Sequence, residues 1–270
     1  MFPVLFKLGP ITIYSFGVAM SLAFVAAALV MQRDFARKHE PQDLAWSIVA
    51  FGLVGGVLGA RVHQALYHWP LFVAHPLEFL IQRSGLVWYG GLLGGVLTTI
   101  WPIRRAHVRY ASALDTAALG LAIGLAIGRI GCHLSGDGDW GTPTALPWGV
   151  AYTHGTAAWP YPPGVRVHPA ALYETTALVG MFALLLYLRT RVAPAGAVFA
   201  IYLLLGGAAR FVIEMVRTNP AILLGLSEAQ WTSAALMAGS ALWLWRNLRR
   251  LPAVKDVRPQ RPVRPAKLFR

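Results

Sequence analysis

Five ionisable side chains stand where the chain is otherwise apolar. Arg61 lies in "GGVLGARVHQ", Arg129 in "LAIGRIG", and Arg210, Glu214 and Arg217 in "GGAARFVIEMVRTNP". A guanidinium is a planar fork of donors that matches phosphate oxygens two at a time. Inside a bilayer it costs at least about 2.5 to 3.5 kcal/mol at the centre of a span and less near the interface, so it persists where it snorkels, is paired or binds an anion. Arg210, Glu214 and Arg217 fall at i, i+4 and i+7, one stripe on one helix face, where Glu214 offsets a single charge. Glycines at helical spacing accompany them in "FGLVGGVLGARV" and in "YGGLLGGV", the latter holding Gly90, Gly91 and Gly94. Such glycines either let helices approach closely or leave room for a ligand against the backbone. Arginines beside gaps predict a lipid-accessible pocket for an anionic head group, and snorkelling is the competing reading of any one of them alone.

The elements that must hold these groups follow from composition. Of 270 residues, 56% are hydrophobic and 13% charged, too apolar for a soluble domain of this length. Several apolar runs approach the roughly 20 residues that cross a bilayer. They predict an all-α, polytopic membrane protein with seven spans, near 11–31, 44–66, 86–103, 112–130, 169–188, 195–216 and 231–245. Lys7 precedes the first run without a clear cleavage site, which reads as a retained span. Arg33, Arg37, Lys38, Arg104, Arg105, Arg109, Arg189 and Arg191 fill three alternate loops, and nine more basic residues fill 246–270, so 17 of the 24 share one face. That face is expected to be cytoplasmic, with the N-terminus outside. The net charge of +13 is then mostly topology rather than a nucleic-acid site, and 246–270 reads as a basic, disordered tail beside anionic lipid. The domain is expected over 1–245, with an external segment, 131–168, between spans four and five. Arg61, Arg129, Arg210 and Arg217 then all fall toward the outer ends of spans.

The motifs "FPVLFKLGPITIYSFG", "GARV" followed by "YGGLLGG", "GRIG", "HPAALYE" and "RFVIEMVRTNP" occur together in this order. As an ordered set they resemble the prolipoprotein diacylglyceryl transferases of the bacterial inner membrane. The resemblance implies a cysteine thiolate of a prolipoprotein lipobox attacking the diacylglyceryl carbon of phosphatidylglycerol, with glycerol phosphate leaving and no metal or cofactor. It implies that Arg129 and Arg210 hold and neutralise the phosphate, and that Glu214 orients Arg210 beside Arg217. Gly131, Asp137 and Arg61 join Gly90, Gly91 and Gly94 as expected lipid-binding positions. His168, Tyr173 and Glu174 of "HPAALYE" are read as pocket wall or, equally, as stabilisers of a helix end.

The chain departs from the family pattern at definite places. Tyr89 stands where the third-span motif has histidine, and a phenol with a pKa of about 10 is a poor base at neutral pH. Either the thiol, with a pKa of about 8.5, ionises beside the arginines unaided, or His133 takes the proton. After "GRIG" the chain has Cys132, His133, Ser135 and Asp137 in place of asparagines and a glutamate, while Gly136 is kept. Phe16 and Gly206 stand where the family has tyrosines. The segment "DGDWG" lacks the remaining ligands of a calcium loop, and Cys132, the single cysteine, reads as a packing residue. Two other functions compete with transfer: a non-catalytic lipid-binding or lipid-transporting protein on the same scaffold, or a transferase with another acceptor. A channel or secondary transporter ranks third, because no charge is evident at mid-span.

Overall fold

A computed structural model describes residues 1–76, 88–192 and 194–248. Arg83, the first residues of the span expected at 86–103, and most of the basic tail lie outside these. The chain opens with β1 (Val4–Leu8) and β2 (Ile11–Tyr14), an antiparallel hairpin in which Leu8 pairs with Ile11 across Gly9 and Pro10. Gly9 takes φ +58°, which the tight turn needs and a side chain resists. The expected first span therefore starts late: α1 runs Ser15–Arg37. There follow α2 (Leu44–Tyr67), the short α3 (Trp69–Ala74), α4 (Trp88–Arg105), α5 (Tyr110–Ser135), α6 (Ala170–Leu188) and α7 (Ala197–Glu214). A second small hairpin, β3 (Ala221–Leu223) with β4 (Leu226–Ser227), leads into α8 (Glu228–Leu248). The chain is mostly helical as expected, with two small hairpins added where "LGPI" and "LLGL" supply turn residues between short extended runs.

Among the described residues, α1, α2, α5, α6 and α7 are long and apolar enough to cross a membrane. The remaining long helices are more polar: α4 ends in Pro102, Arg104 and Arg105, and α8 carries Gln230, Thr232, Ser233, Ser240 and Asn247. Packing pairs α1 with α5, α2 with α4, α5 with α6 and α7 with α8. The interior is made of small residues. Ala19, Ala23 and Ala28 of α1 and Ala113, Ala118, Ala122 and Ala126 of α5 are buried, while Leu22, Val25, Leu29, Leu114, Leu121 and Leu125 face outward. In water this pattern would be inside out, whereas in lipid the outward leucines lie in their preferred medium and small residues let backbones approach.

One end of the bundle is tied by Asp34, whose side chain is 1% exposed. It accepts from Thr116 (2.7 Å), Arg37 (3.0 Å) and Arg189 (3.0 Å), and Lys38 lies 3.1 Å away. Three cations, Arg37, Lys38 and Arg189, and the Thr116 hydroxyl therefore clamp α1, α5 and α6 together.

The glycines of "YGGLLGG" face α2. A Cβ on Gly94 would meet the Gly55 carbonyl and, at 2.8 Å, the Gly59 Cα; one on Gly90 would meet both the Gly59 carbonyl and His63 Cβ. A Cβ on Gly91 would come 3.3 Å from the Gly56 carbonyl. These positions close the crossing of α4 with α2, and Gly90, Gly91 and Gly94 are not among the walls of the cavity described below. Gly94→Ala is expected to cost about 1 to 3 kcal/mol, because rigid backbone blocks the added methyl. Gly180→Ala, with nothing within 4 Å, is expected to be neutral or slightly stabilising. Thermal unfolding of both purified variants in one detergent compares them.

Candidate functional site

Arg129 stands within the last two turns of α5, and the helix ends at Gly136, whose φ of +60° turns the chain. Gly138 turns it again at φ +100° and delivers Asp139, so that Trp140 is buried beneath the head. Gly141 is then pressed against the backbone of 216: Thr142 N–H donates to the Val216 carbonyl at 2.7 Å, and Gly141 N–H to the His168 carbonyl at 2.9 Å. A Cβ on Gly141 would strike the Val216 carbonyl and, at 2.8 Å, His168 Cβ, which explains glycine there. The head between α5 and α6 is organised by Trp140, Tyr152 and Val167, packed with Trp159 and Tyr161. Its attachment sets Asp139 against two arginines.

Three arginines and three carboxylates make one cluster. Glu174, on the first turns of α6, accepts from Arg129 Nε at 2.5 Å and from Arg210 Nη1, and Arg217 Nη1 lies 3.6 Å away. Asp139 accepts from Arg129 Nη1 and from Arg217 Nη2, the latter at 2.6 Å. Glu214 meets Arg210 Nη2 at 3.0 Å and Arg217 Nε at 3.5 Å. Its other oxygen accepts from Asn219 Nδ2 at 2.6 Å and Ser227 Oγ at 2.8 Å. Each carboxylate therefore bridges two or three guanidiniums, and the charges cancel. Burial alone would raise the pKa of Asp139, but Arg217 and Arg129 outweigh it and hold the carboxyl below its usual range.

The cluster closes the polar end of a cavity of about 600 Å³. Arg129, Arg210, Glu174 and Glu214 form that end, and Leu125, Leu178, Met181, Leu203 and Leu236 form the apolar walls. Arg129 and Arg210 are 26% and 28% exposed, whereas Arg217 is 8% exposed and backs the cluster. Among the described residues, Arg129 Nη2 and Arg210 Nε donate to no protein group, so each of these two arginines of the cavity wall keeps a donor without a protein partner. Gly206 borders the cavity, where a tyrosine would fill space. Two donor-bearing guanidiniums over an apolar hollow can bind a phosphate attached to hydrocarbon.

The residues singled out in the sequence divide accordingly. Arg129, Arg210, Glu214, Arg217 and Glu174 come together, and Tyr89 lies on the cavity wall from α4. His133 does not line it: its Nδ1 lies 2.9 Å from the Tyr152 hydroxyl, edge-on to that ring. Asp137 is exposed and its Oδ1 accepts from Asp139 N–H at 3.3 Å; the acid that meets the arginines is Asp139 instead. Gly131 packs on α1, where a Cβ would come 2.7 Å from Ala19 Cβ. Arg61 hydrogen bonds Gln64 at 3.1 Å on its own helix and is not among the cavity walls. His168 and Tyr173 belong to a head network, with His168 Nδ1 3.1 Å from the Tyr173 hydroxyl, which accepts from Trp148 Nε1 at 2.8 Å. Sequence reasoning missed Asp139, Asn219, Ser227 and Glu228. The signal for Ser227 was present: Ser-x-x-Gln forms a capping box with Gln230, in which Ser227 N–H donates to Oε1 at 2.9 Å. Cys132, Asp137 and Asp139 offer ligand atoms within 4.8 Å of one another, but two guanidiniums already claim Asp139 and oppose a cation there.

Residues 3–246 match the family model described as "Prolipoprotein diacylglyceryl transferase". A protein of Coxiella burnetii (strain Dugway 5J108-111) named "Phosphatidylglycerol--prolipoprotein diacylglyceryl transferase" is 31% identical over 256 residues, covering 89% of this chain and 94% of that one. Proteins of the same name are 31% identical in Bordetella avium (strain 197N), over 92% of this chain and 95% of the relative, and 27% identical in Clostridium tetani (strain Massachusetts / E88), over 82% and 87%.

The paired Asp139 predicts a pH dependence. Its folded pKa is depressed, so the pairing adds stability above the unfolded value of about 3.9 and loses it as pH falls through the lower folded value. Amide exchange at Gly141 and Thr142, corrected for intrinsic rates, is expected to be slow near neutral pH and to speed up below about pH 4. In Asp139→Asn it should already be fast at neutral pH, without that acid limb.

Proposed function

The chain belongs to the prolipoprotein diacylglyceryl transferase family, and from that footing we propose that it transfers the diacylglyceryl group of phosphatidylglycerol to the thiol of a prolipoprotein lipobox cysteine. The observation that carries the reading is the pair Arg129 and Arg210, with donors left over, at the polar end of an apolar cavity. The phosphodiester of the lipid sits across these two forks, and its chains lie along Leu178, Met181, Leu203 and Leu236. Attack of the thiolate sulfur on the glyceryl carbon forms a thioether, breaks the carbon–oxygen bond to phosphate and turns a monoanionic diester into a dianionic monoester. Charge therefore grows at the phosphate as the bond breaks, which is where fixed donors lower the barrier most.

The supporting residues have roles that follow from their contacts. Glu214, held by Ser227 and Asn219, keeps Arg210 from turning away, and Glu174 spaces Arg129 and Arg210 so that both address one anion. Orientation of this kind is worth much of a rate enhancement. The same reading takes α1, α2, α4, α5, α6, α7 and α8 as seven spans of a bacterial inner-membrane protein, with the N-terminus and the head outside and the basic end cytoplasmic. The site then opens at the outer face, where signal peptides arrive.

Purified protein, phosphatidylglycerol vesicles and a lipobox peptide should give a peptide heavier by one diacylglyceryl group, linked through sulfur. Arg129→Ala and Arg210→Ala are expected to lower turnover by roughly 10²-fold or more, the scale for removing a group that stabilises developing charge. Tight phospholipid binding without any lipidated peptide would replace this reading with a lipid-binding or lipid-transporting one.

A further inference from the structure

The reaction needs a place for the thiol proton, and most acids on the cavity wall are already committed. Glu174 and Glu214 are already engaged by arginines, Glu174 by Arg129 and Arg210 and Glu214 by Arg210. Tyr202 of α7, the other phenol of the wall besides Tyr89, is partly buried among apolar side chains of α5, α6 and α7. One carboxylate of the wall differs. Glu228, in the first turn of α8, is exposed to the cavity, and among the described residues no arginine or lysine is paired with it. Its partner is the Tyr89 hydroxyl, which reaches it from α4 and also lies beside Thr232.

Its place in the chain brings it to the correct end of the cavity. The preceding residue, Ser227, donates to Glu214, and Glu214 holds Arg210. Glu228 therefore follows directly on the segment that fixes the phosphate-binding arginine. The Ser227–Gln230 capping box fixes the first turn of α8, so the carboxylate is set on a rigid element. The charged groups facing this space from the other elements are Arg129 of α5, Glu174 of α6, and Arg210 and Glu214 of α7, together with Tyr89 of α4.

Resting on the transferase reading, we propose that Glu228 is the proton acceptor for the incoming thiol, with the Tyr89 hydroxyl as the group that positions its carboxylate. The S–H proton passes to Glu228. The sulfur electron pair forms the bond to the glyceryl carbon, the carbon–oxygen pair leaves with the phosphate, and Glu228 then gives its proton to water or to the departing monoester.

The test uses the full-length protein in the vesicle assay. Glu228→Gln, close in size and still compatible with the capping box, is expected to lower kcat by roughly 10²-fold, as for loss of a general base, with KM for phosphatidylglycerol little changed. Its remaining activity should rise with pH as the thiol ionises by itself, whereas the wild-type profile levels off. Tyr89→Phe should give a smaller fall, since the carboxylate remains. An imidazole is itself a base near neutral pH, so Tyr89→His combined with Glu228→Gln should regain at least about tenfold of the loss. Glu228→Asp, which keeps a carboxylate, should stay well above Glu228→Gln if the latter folds with an unchanged unfolding temperature. A Glu228→Gln protein with wild-type kcat and pH profile overturns the assignment while leaving the transferase reading intact, as does a double variant no better than Glu228→Gln alone. A wild-type protein that makes no product overturns both.

Discussion

Three guanidiniums and three carboxylates must be neutralised together at one end of an apolar bundle, and much of the surrounding structure follows from that. They come from separate segments: Arg129 from α5, Asp139 from the head, Glu174 from α6, Arg210 and Glu214 from α7, and Arg217 from the turn after it. Each carboxylate bridges two arginines or more, so removing one partner leaves charge exposed to a poor solvent, a loss of the order of 3 to 5 kcal/mol when such a pair is buried. The cluster is consequently a joint as well as a site. The backbone pairing of Gly141 and Thr142 with His168 and Val216 locks the head over it. Movement of the head and reorganisation of the arginines are then a single event.

Small residues decide where there is room. On α2 and α4, facing glycines close the crossing so tightly that no side chain fits between them. On α7, two adjacent glycines serve opposite ends. A Cβ on Gly207 would come 2.9 Å from Met237 Cγ and 3.1 Å from the Ser233 carbonyl, so glycine there lets α8 approach, while a Cβ on Gly206 would meet only Met181 Cε of α6, at 3.9 Å, and leaves the cavity open. A helix drawn against one neighbour at one residue and held off another at the next leaves a cleft whose walls remain apolar. Packing of this kind relies on contact between backbones rather than on exclusion of water, which suits helices surrounded by lipid.

The sequence exposed the arginines because their cost in an apolar segment demands an explanation, and the stripe Arg210, Glu214, Arg217 obeys helical spacing. Where the backbone leaves helical geometry, spacing ceases to guide. Gly136 and Gly138 both take positive φ, and between them the chain turns so that Asp137 faces outward and Asp139 inward. His133 was placed one helical turn from Arg129, yet its ring is taken up by Tyr152, some twenty residues on in a head whose fold no local pattern shows. Glycine runs state that something approaches, not what, so Gly90, Gly91 and Gly94 suggested a ligand where the neighbour is a helix. The hairpin at Val4–Tyr14 was hidden because its exposed apolar side chains, Leu5, Phe6, Leu8 and Ile11, look in a hydropathy reading like the start of a span. Glu228 was invisible for the opposite reason: nothing in its own segment reveals that a phenol from α4 meets it.

The two ionic networks at the ends of α5 differ in a way that bears on turnover. Thr116 and Arg129 lie thirteen residues apart on one helix, about 20 Å at 1.5 Å per residue. At the first end a single carboxylate, Asp34, meets Arg37, Lys38 and Arg189, so positive charge is in excess. On the proposed orientation that excess lies at the cytoplasmic face, where anionic lipid attracts it. At the second end the charges cancel, and the attraction for a phosphate arises from unused donors on Arg129 and Arg210 rather than from net charge. In the proposed reaction the phosphate gains a negative charge as the thioether forms. A strongly positive site would hold that dianion and make product release slow, whereas a neutral one offers oriented donors to the transition state and a weaker long-range hold on what leaves. Carboxylates in a phosphate site are, on this argument, part of its function: they set the arginines in place and keep the affinity for product low.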